Sequence, residues 1–469
     1  MLADKLGDYC STLEVTDIPP EVLATAKVKL LDSLACALGA WDTEAAAILR
    51  RYSDACAPQG DVALWGQGRK SSAGEAAFIN GTLGHALLLE DTDLQAGHAA
   101  CMVVPAALAT AAHARASGKA LDGGDLLAAI ILGYEVMWRG SGCGAVMNGA
   151  LDNGFRGATI NGGIASAATA ARVLGFDATG YRDAISYAAN TVSGLLEPVG
   201  RATIERALQA GVNARSGVQG ALLVQAGFTG TPTILEGGQG FFKAVADASC
   251  SSPEDLLDGL GGAHRIMESL YKIYPTGGSH QSAVYAAETA RARYDFDPGK
   301  IESVRVWQYA PFGNVFPGAD GSSVYPATLA AGPYTHVEET LTNKPFGIAS
   351  MLLSGRLDIT AIKDGLNNPD IVALAQKIQM FGDEDFGEHD ARIEVTLAGG
   401  RTLNVTVDCA LEARFFPEME DMKQRLQAFC GEYVDQGSIT NLVDAVDDIQ
   451  APGAVDRLLD LIAGIKLKG

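Results

Sequence analysis

Two imidazoles and three carboxylates lie close together in this sequence, between His85 and His98, with the tetrapeptide EDTD at 90–93. A carboxylate in contact with a histidine can move the pKa of both groups towards neutrality, which general acid and base catalysis requires. The stretch therefore predicts a proton-transfer site, with His85 as a binding neighbour. The alternative is an acidic loop that caps a helix, with His85 in the core.

The same side chains are also possible metal ligands. Their order, H-x4-E-D-x-D-x4-H, matches no metal motif with a mechanism behind its spacing. The glycine-rich run at 237–240 lacks the spacing of a dinucleotide-binding loop, and the sequence holds no P-loop, G-x-S-x-G or H-E-x-x-H motif. We therefore expect chemistry that uses neither a metal nor a cofactor.

A second set of candidates is positively charged: Arg156, Arg201, Arg206 and Lys272, with Tyr274 following in a turn-like segment. An arginine holds a carboxylate through two hydrogen bonds and a lysine adds a compact charge, so convergence of these side chains predicts binding of a small anionic substrate. Taken singly, each of these residues is more often a solvated charge on the protein surface. Spacing along the chain does not decide between the two.

Composition argues against several classes of partner. The chain has 56 Asp and Glu against 35 Lys and Arg, a formal net charge of -21. Such a charge repels nucleic-acid phosphates and anionic lipids, so we expect neither nucleic acid nor membrane as a partner. The eight cysteines form no C-x-x-C pair, and the N-terminus lacks the pattern of a signal peptide. A cytoplasmic protein is the expectation.

The length of the chain and the change in its sequence pattern predict two domains in an α+β fold. A chain of 469 residues exceeds the size at which one hydrophobic core usually stops growing. Up to Ile266 the sequence is rich in Ala and Gly, and the spacing of its apolar residues predicts a helix from Pro19 to Ala40. Small side chains let helices approach closely, so this part predicts a large all-helical domain.

After Ile266 the pattern changes to alternating apolar and polar residues. The runs KIESVRVWQY and ARIEVTLAGGRTLNVTVD predict a strand and a hairpin that turns at Gly399-Gly400, with helices around 348–357 and 371–380. We therefore divide the chain into a first helical part at 1–266, a smaller inserted α+β lid domain at 267–410, and a helical return to the first domain at 411–469.

Four segments match a known family: NG-x3-H-x4-[DE]-D-T-x5-H at 80–98, GF-x-x-A-T at 154–159, the run from GVNARSGVQG to GFF at 211–242, and K-x-Y-P at 272–275. In these the chain resembles the MmgE/PrpD family, which includes 2-methylcitrate dehydratase, cis-aconitate decarboxylase and iminodisuccinate epimerase. The resemblance implies a helical domain made from both chain ends, an inserted lid, a homodimer, and an active site in the cleft between domains.

By position, the resemblance places Asp91, Thr92, His98, Arg206 and Lys272 in the active site, with Thr92 among the substrate-binding residues.

The chain also departs from the family pattern. The resemblance leads us to expect an Asp at position 88, where this chain has Leu88, and a Lys at position 206, where it has Arg206. It also leads us to expect His at two positions, where this chain has Arg156 and Gly277. Because an arginine does not release its proton at working pH, Arg156 and Arg206 can only bind or polarise a substrate. The departures weaken the case for decarboxylation or loss of water by the usual residues, and they favour a strongly anionic substrate.

We expect proton transfer at the carbon α to a carboxylate of a small di- or tricarboxylate. His98 with Asp91 is the first candidate for one face of that carbon and Tyr274 for the other, and Lys272 is an alternative base. This arrangement narrowly favours an epimerase or isomerase resembling iminodisuccinate epimerase. A lyase of the dehydratase or decarboxylase type and an inert polycarboxylate-binding protein are the alternatives.

Overall fold

The structure is a computed structural model that describes residues 1–141, 145–246, 255–313 and 326–467. The chain divides into two compact units. The first unit contains residues 1–195, 207–270 and 417–469, and the second contains residues 196–206 and 271–416. The boundaries at 270/271 and 416/417 each lie a few residues after the predicted domain boundaries. The short segment 196–206, which belongs to the second unit, was not predicted, because its composition does not differ from that of the flanking sequence.

Helices dominate the described residues and the sheets are small, which confirms the predicted α+β class. The helices that lie wholly or mainly in the first unit are Leu2–Thr12, Pro20–Gly39, Glu44–Cys56, Ala73–Ala86, Ala100–Ala116, Gly123–Gly140, Ala145–Asp152, Gly157–Ile160, Gly162–Leu174, Ala178–Asn190, Glu205–Gln225, Phe241–Ala246, Met422–Cys430, Gln436–Asp447 and Ala454–Gly464. This unit is not entirely helical, because β1 (Val62–Leu64) and β2 (Arg69–Ser71) form a short antiparallel pair.

Small residues set the spacing of the helices in the first unit. Helices Gly162–Leu174 and Glu205–Gln225 approach so closely that a Cβ at Gly217 would overlap Ser166 and the backbone of Ala167. Five buried alanines, at 167, 170, 184, 188 and 221, form one of the core clusters there. The Ala- and Gly-rich composition is therefore a packing requirement, since larger side chains would push the helices apart.

The helix Pro20–Gly39 illustrates how local sequence builds this unit. Pro20 occupies the first turn, where its missing N–H costs no hydrogen bond. The predicted helix from Pro19 to Ala40 is thus confirmed to within one residue at each end. Its buried side chains include two charged ones, Lys29 and Asp32, which an ordinary amphipathic helix would expose.

The second unit contains a four-stranded sheet with the order β4-β3-β5-β6, where β3 is Ile301–Tyr309, β4 is Ile378–Asp383, β5 is Asp390–Leu397 and β6 is Thr402–Asp408. Its helices are Glu197–Gly200, Gln281–Arg293, Ala310–Gly313, Val337–Leu341, Lys344–Ser354, Ile359–Gly365 and Pro369–Ala375. Strand β3 pairs in parallel with β4 and antiparallel with β5, so that Val306 lies opposite both Met380 and Ile393. On β5, every second residue is buried.

The hairpin predicted at Gly399-Gly400 is confirmed as the connection between β5 and β6, and both glycines have left-handed backbone angles. The predicted helix over 371–380 is only partly right, because it ends at Ala375 and the chain then forms β4. Backbone pairing with β3 outweighs the weak helical pattern of the last residues, as tertiary context commonly does. No helix in the described ranges has the length and apolarity needed to cross a bilayer.

The close helix contact at Gly217 makes a prediction. Gly217→Ala should destabilise the protein by about 1–3 kcal/mol, because the added methyl group meets a neighbouring backbone that cannot move easily. The matched control is Gly464→Ala, at the end of helix Ala454–Gly464, where nothing lies within 4 Å of the added Cβ. Urea unfolding followed by circular dichroism measures both, and equal midpoints for the two variants would contradict the packing argument.

Candidate functional site

One carboxylate oxygen in the first unit lies between two imidazoles. Oε1 of Glu90 is 2.9 Å from Nδ1 of His85 and 3.2 Å from Nδ1 of His98, and the two ring centroids are 4.9 Å apart. Glu90 and His85 are fully buried, and His98 is 7% exposed. Because a carboxylate attracts N–H donors, it favours the tautomer of His98 that carries its proton on Nδ1 and keeps the Nε2 lone pair. This is the arrangement of a general base oriented by a carboxylate.

A tight turn brings Glu90 back to His85. The helix Ala73–Ala86 carries His85 in its last turn and ends one residue later. Two residues beyond, Leu88 is buried and has a left-handed backbone with φ of 50°. A leucine in that conformation costs about 1–2 kcal/mol, which the surrounding contacts must offset. Backbone strain of this kind concentrates at functional sites.

A glycine allows the following loop to pack against a second candidate segment. The backbones of Asp93 and Gly97 exchange two hydrogen bonds of 2.8 Å, and Gly97 has φ of 107°. A Cβ at Gly97 would overlap the backbone of Ala158, and the N–H of His98 donates to the carbonyl of Ala158 at 3.3 Å. Since Arg156 is two residues from Ala158, the loop and the Arg156 turn are held side by side.

The carboxylate of Asp91 is fully occupied by other groups. Its Oδ2 lies 2.9 Å from Nζ of Lys29 and accepts hydrogen bonds from the hydroxyls of Tyr134 at 2.7 Å and Ser269 at 2.8 Å. Its Oδ1 accepts from the N–H of Ala100 at 3.2 Å, at the start of the next helix. Burial lowers the pKa of Lys29, and the neighbouring Asp91 carboxylate opposes that shift. Asp91 is therefore a structural anchor.

This placement differs from the predicted pairing of Asp91 with His98. Within the described part of the chain, the carboxylate beside His98 is that of Glu90. His85 holds Glu90 from the other side, which favours a positioning role for His85 over the binding role predicted from sequence. Lys29 was missed, although a charged residue within the apolar run KVKLLDSLAC is a usable signal.

Thr92 joins the loop to a distant stretch of the first unit. Its N–H donates to the carbonyl of Leu270 at 2.8 Å, and the N–H of Leu270 donates back at 3.0 Å. Lys29 also donates to the carbonyl of Ser269 at 3.0 Å. These contacts fix the backbone at Ser269 and Leu270 against the loop.

The predicted cations divide into buried and exposed ones. Arg156 in the first unit is buried and donates from Nη1 to the amide oxygen of Gln209 at 3.1 Å. Arg201 in the second unit is exposed and pairs with Glu197 on the surface, which removes it from the candidates.

Arg206 and Lys272 both belong to the second unit and both are fully buried. The guanidinium of Arg206 forms an ion pair with Glu338, with 2.8 Å between Nη2 and Oε2. Glu338 therefore offsets part of the positive charge that an anionic ligand would meet at Arg206.

Tyr274 has contacts that suit a structural role better than the predicted proton transfer. Its hydroxyl donates to Oε2 of Glu288 at 2.8 Å, and the same oxygen accepts from Arg414 at 2.6 Å. Burial, followed by the negative charge of Glu288, raises the pKa of Tyr274 well above its ordinary value. A phenol in these surroundings keeps its proton at working pH.

Gln281 organises the turn that follows Lys272. Its Oε1 accepts the N–H groups of Ile273 and Tyr274 at 3.0 and 3.2 Å, and its Nε2 donates to the carbonyl of Tyr274 at 2.9 Å. Nothing in the sequence pattern points to this role, because a single glutamine at a helix start has many possible partners.

A buried lysine lies in the same unit. Nζ of Lys344 donates to Oε1 of Gln308 at 2.8 Å and to the carbonyl of Phe312 at 2.7 Å, both neutral acceptors. Burial lowers the pKa of Lys344 to about 7.

Three potential metal ligands also converge in the first unit. The donor atoms of His85, Glu90 and Cys101 lie within 4.8 Å of one another and all three residues are buried. The set is chemically able to hold a transition metal. It overlaps the carboxylate and imidazole pair, so a metal bound there would replace the hydrogen bond between His85 and Glu90.

Comparison with known proteins gives matches along almost the whole chain. Residues 4–254 match the MmgE/PrpD N-terminal domain and residues 274–447 match the MmgE/PrpD C-terminal domain. The cis-aconitate decarboxylase of Aspergillus terreus is 24% identical over 97% of this chain and 94% of its own length. Those of Mus musculus and Homo sapiens are 24% and 23% identical, covering 95% and 96% of this chain and 91% and 92% of their own.

The buried pair of Lys29 and Asp91 predicts a large stability effect. Lys29→Met should destabilise the protein by about 3–5 kcal/mol, because it leaves the Asp91 carboxylate buried without its cation. The double variant Lys29→Met/Asp91→Asn should recover part of that loss, since no charge is then left uncompensated. Urea unfolding of the three proteins measures both effects, and a double variant less stable than the single one would contradict the argument.

Lys344 predicts a pH dependence of stability. Below its folded pKa of about 7, Lys344 is charged in both states and the cost of burying that charge is fully present. Above about pH 7 Lys344 loses its proton in the folded state, whereas in the unfolded state it keeps the proton up to about pH 10. The free energy of unfolding therefore rises with pH across this window. The Lys344→Met variant should not show this rise in unfolding free energy. Unfolding free energies at pH 6 and pH 9 measure it, and a wild-type-to-variant difference that does not change with pH contradicts it.

Proposed function

Because the chain belongs to the MmgE/PrpD family, we propose that it moves a proton at the carbon α to a carboxylate of a small di- or tricarboxylate, without metal or cofactor. The observation that carries the proposal is the Glu90 oxygen shared by His85 and His98. It favours the tautomer of His98 that carries its proton on Nδ1.

Removal of a proton next to a carboxylate leaves two negative charges on a small group, so the reaction needs cations that are already in place. The buried candidates are Arg156 in the first unit, and Arg206 and Lys272 in the second unit. These charges stand out in a chain whose net charge of -21 would otherwise repel a polycarboxylate.

A lyase is supported by the relatives. The curated proteins matched over nearly the full chain carry the name cis-aconitate decarboxylase. In such a step the bond between carbon and the leaving carboxylate breaks, CO2 departs without the electron pair, and an acid delivers a proton to the carbon. His98 in its protonated form is the candidate acid.

An epimerase is the second candidate, and Leu88 favours it. This buried aliphatic side chain stands near Glu90, where the resemblance led us to expect a proton-carrying Asp. Epimerisation needs no leaving group: the α proton goes to one base, its electron pair stays on the carbon, and a proton returns on the opposite face.

The test is incubation in D2O with cis-aconitate, citrate, 2-methylcitrate and iminodisuccinate, followed by proton NMR. We expect turnover by the wild type and a loss of about 10²–10⁴-fold in kcat for His98→Gln. The control is His113→Gln, which alters a partly exposed histidine in the same unit and should leave kcat unchanged.

The products separate the candidates. Release of CO2 or water identifies a lyase, and deuterium at the α carbon with inversion identifies an epimerase. Binding of these acids without exchange or turnover would overturn the proposal in favour of an inert polycarboxylate-binding protein.

A further inference from the structure

The second unit contains a buried imidazole whose tautomer is fixed by its neighbours. Nδ1 of His280 lies 2.7 Å from Oγ1 of Thr276, and that oxygen lies 2.9 Å from the carbonyl oxygen of Leu341. A carbonyl can only accept, so the single hydroxyl hydrogen of Thr276 goes to Leu341 and the oxygen accepts from Nδ1. His280 therefore carries its proton on Nδ1, and Nε2 keeps its lone pair.

A glycine makes room for the ring. Nε2 of His280 lies 3.1 Å from the position that a Cβ at Gly277 would occupy. Any side chain at 277 would compete with the imidazole for this space. The ring thus occupies the side of the turn from which a residue at 277 would project.

The turn around His280 is tied to the segment that contains Lys272. The helix Gln281–Arg293 begins directly after His280, and the side chain of Gln281 binds the backbone of Ile273 and Tyr274. His280 and the candidate cation are therefore parts of one hydrogen-bonded turn.

Burial lowers the pKa of His280 well below its ordinary value, and the positive charges of Lys344 and Lys272 lower it further. The Thr276 hydroxyl contacts the ring at Nδ1, and burial alone already disfavours the charged imidazole, so the ring is neutral at working pH. A substrate carboxylate bound beside Lys272 would offset that lysine's charge and make Nε2 more basic. The lone pair becomes a better proton acceptor when an anion is present.

We propose that His280 is a second proton-carrying residue of this enzyme, with Nε2 as the acceptor and Thr276 as the positioning residue. The proposal rests on the proposed function. The α proton of the substrate passes to Nε2, and the electron pair of the broken C–H bond stays on the carbon, delocalised into the carboxylate. Return of a proton from Nε2 restores the neutral imidazole.

The experiment compares three variants with the polycarboxylate that the wild type turns over in D2O, with cis-aconitate as the first probe. His280→Gln should lower kcat by about 10²–10⁴-fold. Thr276→Val should lower kcat less and shift the pH profile of kcat, because Nδ1 loses its acceptor. His389→Gln, at a partly buried histidine of the same unit, is the control and should match the wild type.

A second measurement does not depend on activity. Long-range proton–nitrogen NMR of protein labelled with 15N-histidine reports the tautomer of each of the seven histidines. The signal absent from His280→Gln should show the neutral form protonated on Nδ1 from pH 6 to 8, and Thr276→Val should alter it.

The outcomes separate the two proposals. A wild type that neither exchanges nor converts any polycarboxylate overturns the proposed function and this inference with it. Turnover by the wild type, together with unchanged kcat in folded His280→Gln or a His280 signal protonated on Nε2, overturns this inference alone.

Discussion

The ion pair between Lys29 and Asp91 is the interaction on which the candidate site of the first unit depends. A fully buried carboxylate is tolerated only where a cation and hydrogen-bond donors surround it, and Asp91 has both. The pair joins helix Pro20–Gly39 to the loop that precedes helix Ala100–Ala116. Glu90 and Thr92 flank Asp91 in the chain, so fixing Asp91 fixes the carboxylate that orients His98 and the backbone that pairs with Leu270.

Some cations of this acidic chain are buried. The strongly acidic composition is a property of the whole chain, whereas the buried cations are few and each lies in defined surroundings. Lys29 and Arg206 face carboxylates, and Lys344 faces neutral oxygens. In its protonated form Lys344 lowers the pKa of the neighbouring His280.

Much of the fold could be predicted because its signals are local. The first long helix, strand β3 and the hairpin at Gly399-Gly400 follow from periodicity and turn chemistry. Strand β4 could not, because its partner lies about seventy residues away and pairing with β3 decides its conformation. The sequence places His85, Glu90 and His98 in one short stretch, but it did not predict that Glu90 contacts His98, since Glu90 and Asp91 are adjacent and the turn at Leu88 decides which carboxylate faces the imidazole.

The glycine at 277 bears on how sequences of this kind are compared. Alignment scores each position by itself, so a glycine in place of a side chain is recorded as a loss. In the folded chain the space next to Gly277 is filled by a ring from three residues further along. The side chain at 280 thus fills a volume that an alignment would assign to position 277, so homologues of this protein are better compared by the volume that each side chain occupies than by alignment column.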